Sequence, residues 1–175
     1  MGKLILMSGV PGSGKSWWCK NKLPELEKDI LYISRDEVRF SMLKDGEEYF
    51  AREKEVFKEF IRQIDKGLVA GRTVCADATH LTKASRYKTW VNLKNKPEQT
   101  MVILIKVPLD IALARNENRS GRAYVPENVI RDMFDSLTLP GEDEKDYIDG
   151  LMIVSNYKES DRKWNMIIKQ VEKED

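Results

Sequence analysis

A doubly wound α/β sheet of about five parallel strands, with helices on both faces, is the fold class this sequence predicts. Three observations predict it. Short apolar runs alternate with helix-length segments along the chain. The runs are apolar throughout rather than every second residue, as parallel strands covered on both faces require. The first run, Leu4-Ile5-Leu6-Met7, leads directly into Gly9-Val10-Pro11-Gly12-Ser13-Gly14-Lys15-Ser16, a complete phosphate-binding loop that opens into a helical segment, Trp17 to Lys22.

Each loop residue has a physical task. Gly9, Gly12 and Gly14 allow backbone angles closed to other residues and a close approach to a phosphate. Successive N–H groups, including that of Ser13, then point inward as an anion nest, reinforced by the start of the following helix. Lys15 brings a full charge to the β- and γ-phosphates, and Ser16 offers its hydroxyl to magnesium. The expected ligands are therefore ATP, or another nucleoside triphosphate, with Mg2+.

The remaining elements follow in order. Strands are expected at Lys3–Ser8, Ile30–Ile33, Thr73–Ala76, Met101–Val107 and Leu151–Val154. Glu48–Val69 carries Phe50, Val56, Phe57, Phe60, Ile61, Ile64 and Leu68 at helical spacing, with Gly71 after its end. Ser85–Asn95, Asp110–Asn118 and Pro126–Leu137 are further helices, Pro126 suiting a first turn. Trp164, Ile167, Ile168 and Val171 suggest a final helix over Ser160–Glu172. The acidic stretch Gly141–Gly150 reads as a solvated loop.

The 175 residues are expected to form one domain, 1–175. A net charge of +1 argues against a long electrostatic track for nucleic acid, though not against a grip on the end of a strand. No apolar run reaches the length of a membrane span, and the first strand occupies the place of a signal peptide, so a membrane partner and a leader are not expected. Cys19 and Cys75 make neither a disulfide framework nor a zinc pattern; Cys75 reads as core and Cys19 as a small helix residue. A reducing, cytoplasmic setting fits. Nothing in the sequence indicates an oligomeric state.

Ligands of such sheets bind beyond the carboxyl ends of the strands, so the residues there are the candidates for a site. After the second strand, Asp36 and Arg39 stand three apart on one face of a helix starting near Ser34. A carboxylate there can accept the proton of an attacking hydroxyl, and an arginine can hold an anionic group on the acceptor. After the third strand comes Asp77-Ala78-Thr79-His80-Leu81; Asp77 stands where P-loop enzymes place a carboxylate that holds magnesium or water. His80, the one histidine, is expected at a turn or a substrate edge. After the fourth strand lie Arg115, Arg119, Arg122 and Arg131. The stretch Arg119–Tyr124 breaks the helical pattern and looks like a lid, whose guanidinium groups suit a transferring phosphoryl group. Arg131 reads as a solvated helix face. Of Trp17 and Trp18, at least one is expected to pack the first helix on the sheet, with base stacking open for the other.

These pieces resemble the P-loop kinases typified by bacteriophage 5′-polynucleotide kinase. Gly9–Ser16, Arg35-Asp36-Glu37-Val38-Arg39, Asp77–Leu81, Val107-Pro108, and Arg115-Asn116-Glu117-Asn118-Arg119 running to Val125-Pro126 occur in the family's order over roughly residues 1–140. The resemblance implies an adenylate-kinase-like P-loop kinase fold with a small arginine-bearing lid at about 115–126. It implies Asp36 as general base on an acceptor 5′-hydroxyl of DNA or RNA and Arg39 on the acceptor's phosphate. Asp77, Thr79 and Arg122 would serve the acceptor site. Arg115 would lie with the P-loop on the nucleotide, and Arg119 would act on the transition state with Lys15. No DxDxT motif is present, so no 3′-phosphatase activity is expected. Asp77–Leu81 and Leu139-Pro140-Gly141-Glu142 also fit small P-loop kinases of sugars, antibiotics and other hydroxyl compounds. A kinase of a small molecule or modified nucleoside is thus the second reading, and a nucleotide-binding switch without an acceptor the third.

Overall fold

The computed structural model describes residues 1–155 in full and the strand at 165–170 by its backbone. Its centre is a six-stranded sheet in the order β2-β3-β1-β4-β5-β6. The strands are β1 (Leu4–Ser8), β2 (Ile30–Ser34), β3 (Thr73–Asp77), β4 (Thr100–Lys106), β5 (Gly150–Ser155) and β6 (Asn165–Gln170). β1 to β5 are parallel, and β6 runs antiparallel to β5. The first five strands stand within a residue or two of their expected bounds, in the α/β P-loop kinase fold.

β1 shows why the strands are apolar at every position. Leu4 and Leu6 point into one core with Val56, Phe60, Ile64 and Leu68, whereas Ile5 and Met7 point into another with Trp18, Cys19 and Leu23. All five residues of β1 are buried. Complete burial of such side chains is worth roughly 1.5–3 kcal/mol each, so the two-sided core dominates the stability of the sheet.

Seven α-helices accompany the strands among the described residues: α1 (Lys15–Asn21), α2 (Leu23–Leu26), α3 (Arg35–Met42), α4 (Glu53–Val69), α5 (Lys83–Val91), α6 (Leu109–Glu117) and α7 (Glu127–Asp135). Trp18 packs α1 on the sheet and is buried, while Trp17 is exposed, which matches the expected division between them. Gly71 follows α4 with φ 73°, a left-handed position that favours glycine. The thiols of Cys19 and Cys75, both buried and free, meet at 3.7 Å between α1 and β3.

Three expectations are corrected. The helix over Ser160–Glu172 is replaced, at Asn165–Gln170, by β6; the rest of that segment, Trp164 and Val171 included, lies outside the described residues. Met166-Ile167-Ile168 is a short continuous apolar run, which periodicity alone cannot assign, and the open edge of β5 decides it. The long helix starts at Glu53, not Glu48. Gly46, at φ 81°, sits in a turn braced by Glu47, which accepts from the Lys44 N–H at 2.8 Å and pairs with Arg52 at 2.8 Å. Phe50 therefore faces solvent instead of the core. The acidic stretch is not wholly solvated either. Glu144 is buried against Arg86 of α5, accepting from Nε at 2.9 Å and Nη2 at 2.6 Å, and Tyr147 adds a third bond at 2.7 Å. A buried guanidinium demands a buried partner, and Glu144 supplies it.

Candidate active site

The carboxyl ends of β1, β3 and β2 lie side by side at one end of the sheet, and α6 packs against the loop that follows β1. β1 feeds the phosphate loop, in which Gly9 has φ 145° and Gly12 φ 81°. A Cβ on Gly12 would fall 2.2 Å from the carbonyl oxygen of Ala112, so α6 is packed directly against the loop. Ser13 is fully buried and its hydroxyl has no partner among the described residues, a polar atom left over in a loop of the shape that cradles an anion. Lys15 Nζ donates to the carbonyls of Gly9 (2.7 Å) and Val10 (3.1 Å). Burial pushes its pKa down, opposed by the charge of Asp77, lowered further by Arg119 and raised by Asp36. The charges of Asp77, Arg119 and Asp36 thus all act on Lys15.

Asp77 ends β3 and is buried. Its Oδ2 accepts from the Ser16 hydroxyl at 2.7 Å and from Tyr32 Oη at 2.6 Å. The structure therefore brings Asp77 to the phosphate loop. A serine hydroxyl and one carboxylate, both hard oxygen donors, fit Mg2+, which keeps several waters and takes few protein ligands. Tyr32, at the free edge of the sheet, is a site residue that sequence reasoning missed. Burial and the Asp77 carboxylate push its phenol pKa up, so it stays a proton donor.

β2 feeds α3, and the Ser34 hydroxyl caps that helix by accepting the Glu37 N–H at 3.3 Å. The cap starts the helix two residues before Asp36 and so puts its carboxylate just beyond the carboxyl end of β2. Asp36 is exposed, yet its Oδ1 is held by two donors, Arg39 Nη1 at 2.5 Å and Tyr49 Oη at 2.5 Å. Oδ2 carries no hydrogen bond among the described residues. Arg39 itself is buried: it donates to Glu53 at 2.7 Å, lies 4.2 Å from the Tyr49 ring centre, and keeps one N–H, Nε, without a partner among the described residues. Glu53 also takes an ion pair from Arg35. The arginine expected on the acceptor's phosphate thus stands beneath Tyr49 as the support of Asp36. Tyr49 and Glu53 were not legible as site residues, because no motif spacing links them to Asp36.

Thr79 is half-buried, its carbonyl accepting the Gly9 N–H at 3.2 Å, so it joins the β3 loop to the phosphate loop. His80 is buried with φ 37°, Nδ1 2.9 Å from the Met7 carbonyl and Nε2 3.0 Å from Thr89 Oγ1. It is a turn residue. Burial lowers its pKa to about 4.

The segment expected as a lid joins α6 to α7. Gly121–Ala123 form one 3-10 turn between α6 and α7, and residues 117–124 are exposed. Asn116, buried, clamps its two ends: Nδ2 donates to the Val125 carbonyl at 2.7 Å and Oδ1 accepts the Val125 N–H at 3.1 Å. Arg115 Nη1 donates to the Ser13 carbonyl at 3.3 Å, which places it on the phosphate loop. Arg119 is exposed and held by one long contact, 3.5 Å to the Ala123 carbonyl. Arg122 crosses to the loop after α3, donating to the Lys44 carbonyl at 3.2 Å. Arg131 pairs with Glu127 on an exposed helix face.

Comparison with known proteins agrees with this architecture. The model of a family described as "AAA domain" matches residues 4–140. Among solved structures, a sugar kinase from Janibacter sp. HTCC2649 superposes with a TM-score of 0.61 at 15% identity, over 89% of this chain and 85% of that one. The Pnkp1/Rnl/Hen1 RNA repair complex gives 0.64 at 20% identity over 78% of this chain, which spans only 44% of the matched chain. Chaetomium thermophilum Kti12 in complex with ADP-AlF3 gives 0.61 at 18% identity, over 87% and 88% of the two chains. No helix among the described residues is long and apolar enough to cross a membrane.

Proposed function

The chain belongs to the AAA domain family, and on that premise we propose that it is an ATP-dependent phosphotransferase whose acceptor is the 5′-hydroxyl end of DNA or RNA. One observation carries the reading. A carboxylate with one oxygen tied down and the other left open, Asp36, stands within electrostatic reach of the phosphate-loop lysine. A nucleotide switch has no use for such a group; a two-substrate enzyme does.

In this reading the acceptor hydroxyl approaches Oδ2 of Asp36, which takes its proton as the oxygen attacks the γ-phosphorus. The new O–P bond forms as the bond to the β–γ bridging oxygen breaks, and ADP leaves. The loop N–H groups, Ser13 and Lys15 hold the phosphates. Ser16 and Asp77 hold Mg2+, which offsets charge on the phosphates when bound. Arg115 supports the loop from behind. Arg119, on the lid, swings over the transferring group and excludes water. Arg39 acts on the acceptor side by fixing Asp36, and Arg122 and Thr79 hold the walls of the acceptor channel.

The choice of a nucleic-acid end rests on the combination of Arg35–Arg39 with the Arg115–Arg119 lid, and the likeness to an RNA repair complex supports it. The comparable likeness to a sugar kinase, and the net charge of +1, favour a small hydroxyl compound as the second reading. Incubation with γ-labelled ATP and 5′-hydroxyl DNA or RNA, beside a sugar panel and a no-acceptor control, separates them. Label is expected on the oligonucleotide; label on a sugar alone would replace the first reading with the second.

A further inference from the structure

α3 and the loop after it place three aromatic rings beside Asp36, Phe40 on the helix and Tyr49 and Phe50 in the loop; the Tyr49 hydroxyl bonds Asp36, but the rings themselves have no part in the reaction as described above. Phe40 lies one helical turn after Asp36 on the same face of α3. The Tyr49 ring meets Phe40 edge-on at 6.1 Å and Phe50 edge-on at 4.7 Å. Phe40 is 42% exposed and Phe50 68% exposed. A single exposed apolar side chain means little, but two rings flanking the residue that bonds the candidate base form a patch with a position.

The support of the patch is fixed before any ligand arrives. Glu47 ties the loop to Arg52 and to the Lys44 N–H, and the hydrogen bonds from Arg52 hold its carboxyl at about 2, so it is ionised throughout the neutral range. Arg39 lies under both rings, 4.2 Å from the centre of Tyr49 and 5.7 Å from that of Phe50. The lid reaches the same loop through Arg122 and Lys44. The rings stand edge-on to one another, at 68° and 87°, so Phe50, the most exposed, is the one that offers a face to a flat π system, and a nucleobase stacks on such a face whatever its sequence.

We infer that the exposed face of Phe50, braced edge-on by Tyr49, forms a stacking shelf for the 5′-terminal nucleobase of the acceptor strand. The inference rests on the reading of the acceptor as a nucleic-acid end and deepens it. Tyr49 sets the scale. Its hydroxyl marks Asp36, where the 5′-oxygen must lie, and its ring leads to Phe50, where the base of that same nucleotide would lie. A base on this shelf positions its own hydroxyl, so the end nucleotide is recognised without sequence readout. That agrees with a protein whose charge provides no long phosphate track.

The test compares two acceptors of equal length, one with an ordinary 5′-terminal nucleotide and one whose 5′-terminal residue is abasic but keeps its hydroxyl. Wild type, Phe50→Ala and Phe50→Trp are assayed with each by transfer from γ-labelled ATP. Phe50 is exposed, so its removal opens no core cavity. For the base-bearing strand, Phe50→Ala should raise the acceptor KM about tenfold, and Phe50→Trp should keep it near wild type. The abasic strand should show the raised KM already with wild type and respond no further to Phe50→Ala. Equal effects of Phe50→Ala on both strands, or none on either, would overturn the shelf while leaving transfer to nucleic acid standing. Absence of transfer to both strands by wild type would overturn the shelf together with the acceptor assignment.

Discussion

The Ser16 hydroxyl donates to Oδ2 of Asp77 across 2.7 Å, joining the first residue after the lysine of the phosphate loop to the last residue of β3. The two oxygens are hard donors of the kind that suit a divalent cation. Asp77→Asn should therefore raise the Mg2+ concentration for half-maximal activity by about tenfold or more. Titration of Mg2+ at saturating ATP measures it, and chelation of the metal should abolish transfer. An unchanged Mg2+ requirement in Asp77→Asn would remove Asp77 from the metal site.

Tyr49 and Arg39 both bond Oδ1 of Asp36, and Oδ2 takes no hydrogen bond among the described residues. Tyr49→Phe keeps the ring and removes one of the two bonds. Its expected effect is a kcat lower by about tenfold with the KM for ATP unchanged, since a hydrogen bond to a charged group is worth roughly 1.5–3 kcal/mol. Steady-state kinetics with varied ATP give both numbers. A rise in the ATP KM with an intact kcat would point to a role on the donor side instead.

Arg119 is exposed on the lid, yet its charge is felt at Lys15. A group that acts only in the transition state is lost from kcat and not from ground-state binding. Arg119→Ala should lower kcat by about 10² or more with a smaller change in KM. Near-normal turnover would reject the lid assignment.

His80 gives a stability signature independent of activity. Burial holds its pKa at about 4 in the folded chain, against the ordinary 6.5 when unfolded. Between these values the unfolded chain binds the extra proton, so stability falls as pH drops from 6.5 toward 4. Linkage makes that loss about 2 kcal/mol between pH 7 and pH 5. Urea unfolding of wild type and His80→Gln at both pH values tests it: the gap between the two proteins should be smaller at pH 5. A gap that stays constant would mean that His80 does not titrate in this window.

Legibility from sequence followed the range of the interactions. The phosphate loop was complete in the sequence because its physics is local: three glycines, a lysine and a serine at fixed spacing after a strand. The five parallel strands were equally visible, since burial on both faces leaves continuous apolar runs such as Leu4-Ile5-Leu6-Met7. Asp36, Asp77 and the lid arginines could be found by their position after strands. What they touch could not. Tyr32 reaches Asp77 only because β2 pairs with β3, and Tyr49 reaches Asp36 only because a braced turn replaces the expected first turn of α4. Glu144 looked like its acidic neighbours until Arg86 was seen buried beside it. The final helix failed for a related reason: Met166-Ile167-Ile168 is too short a run for periodicity, and only the open edge of β5 makes it a strand.

The most direct test of the account is transfer of labelled γ-phosphate from ATP to a 5′-hydroxyl oligonucleotide by wild type and Asp36→Ala, with ATP binding measured on both. Asp36 is bonded by Arg39 and Tyr49 and makes no hydrogen bond to the phosphate loop among the described residues, and the account predicts rapid labelling by wild type. For Asp36→Ala it predicts loss by about 10² or more, with ATP affinity unchanged. Undiminished labelling by Asp36→Ala would contradict the account.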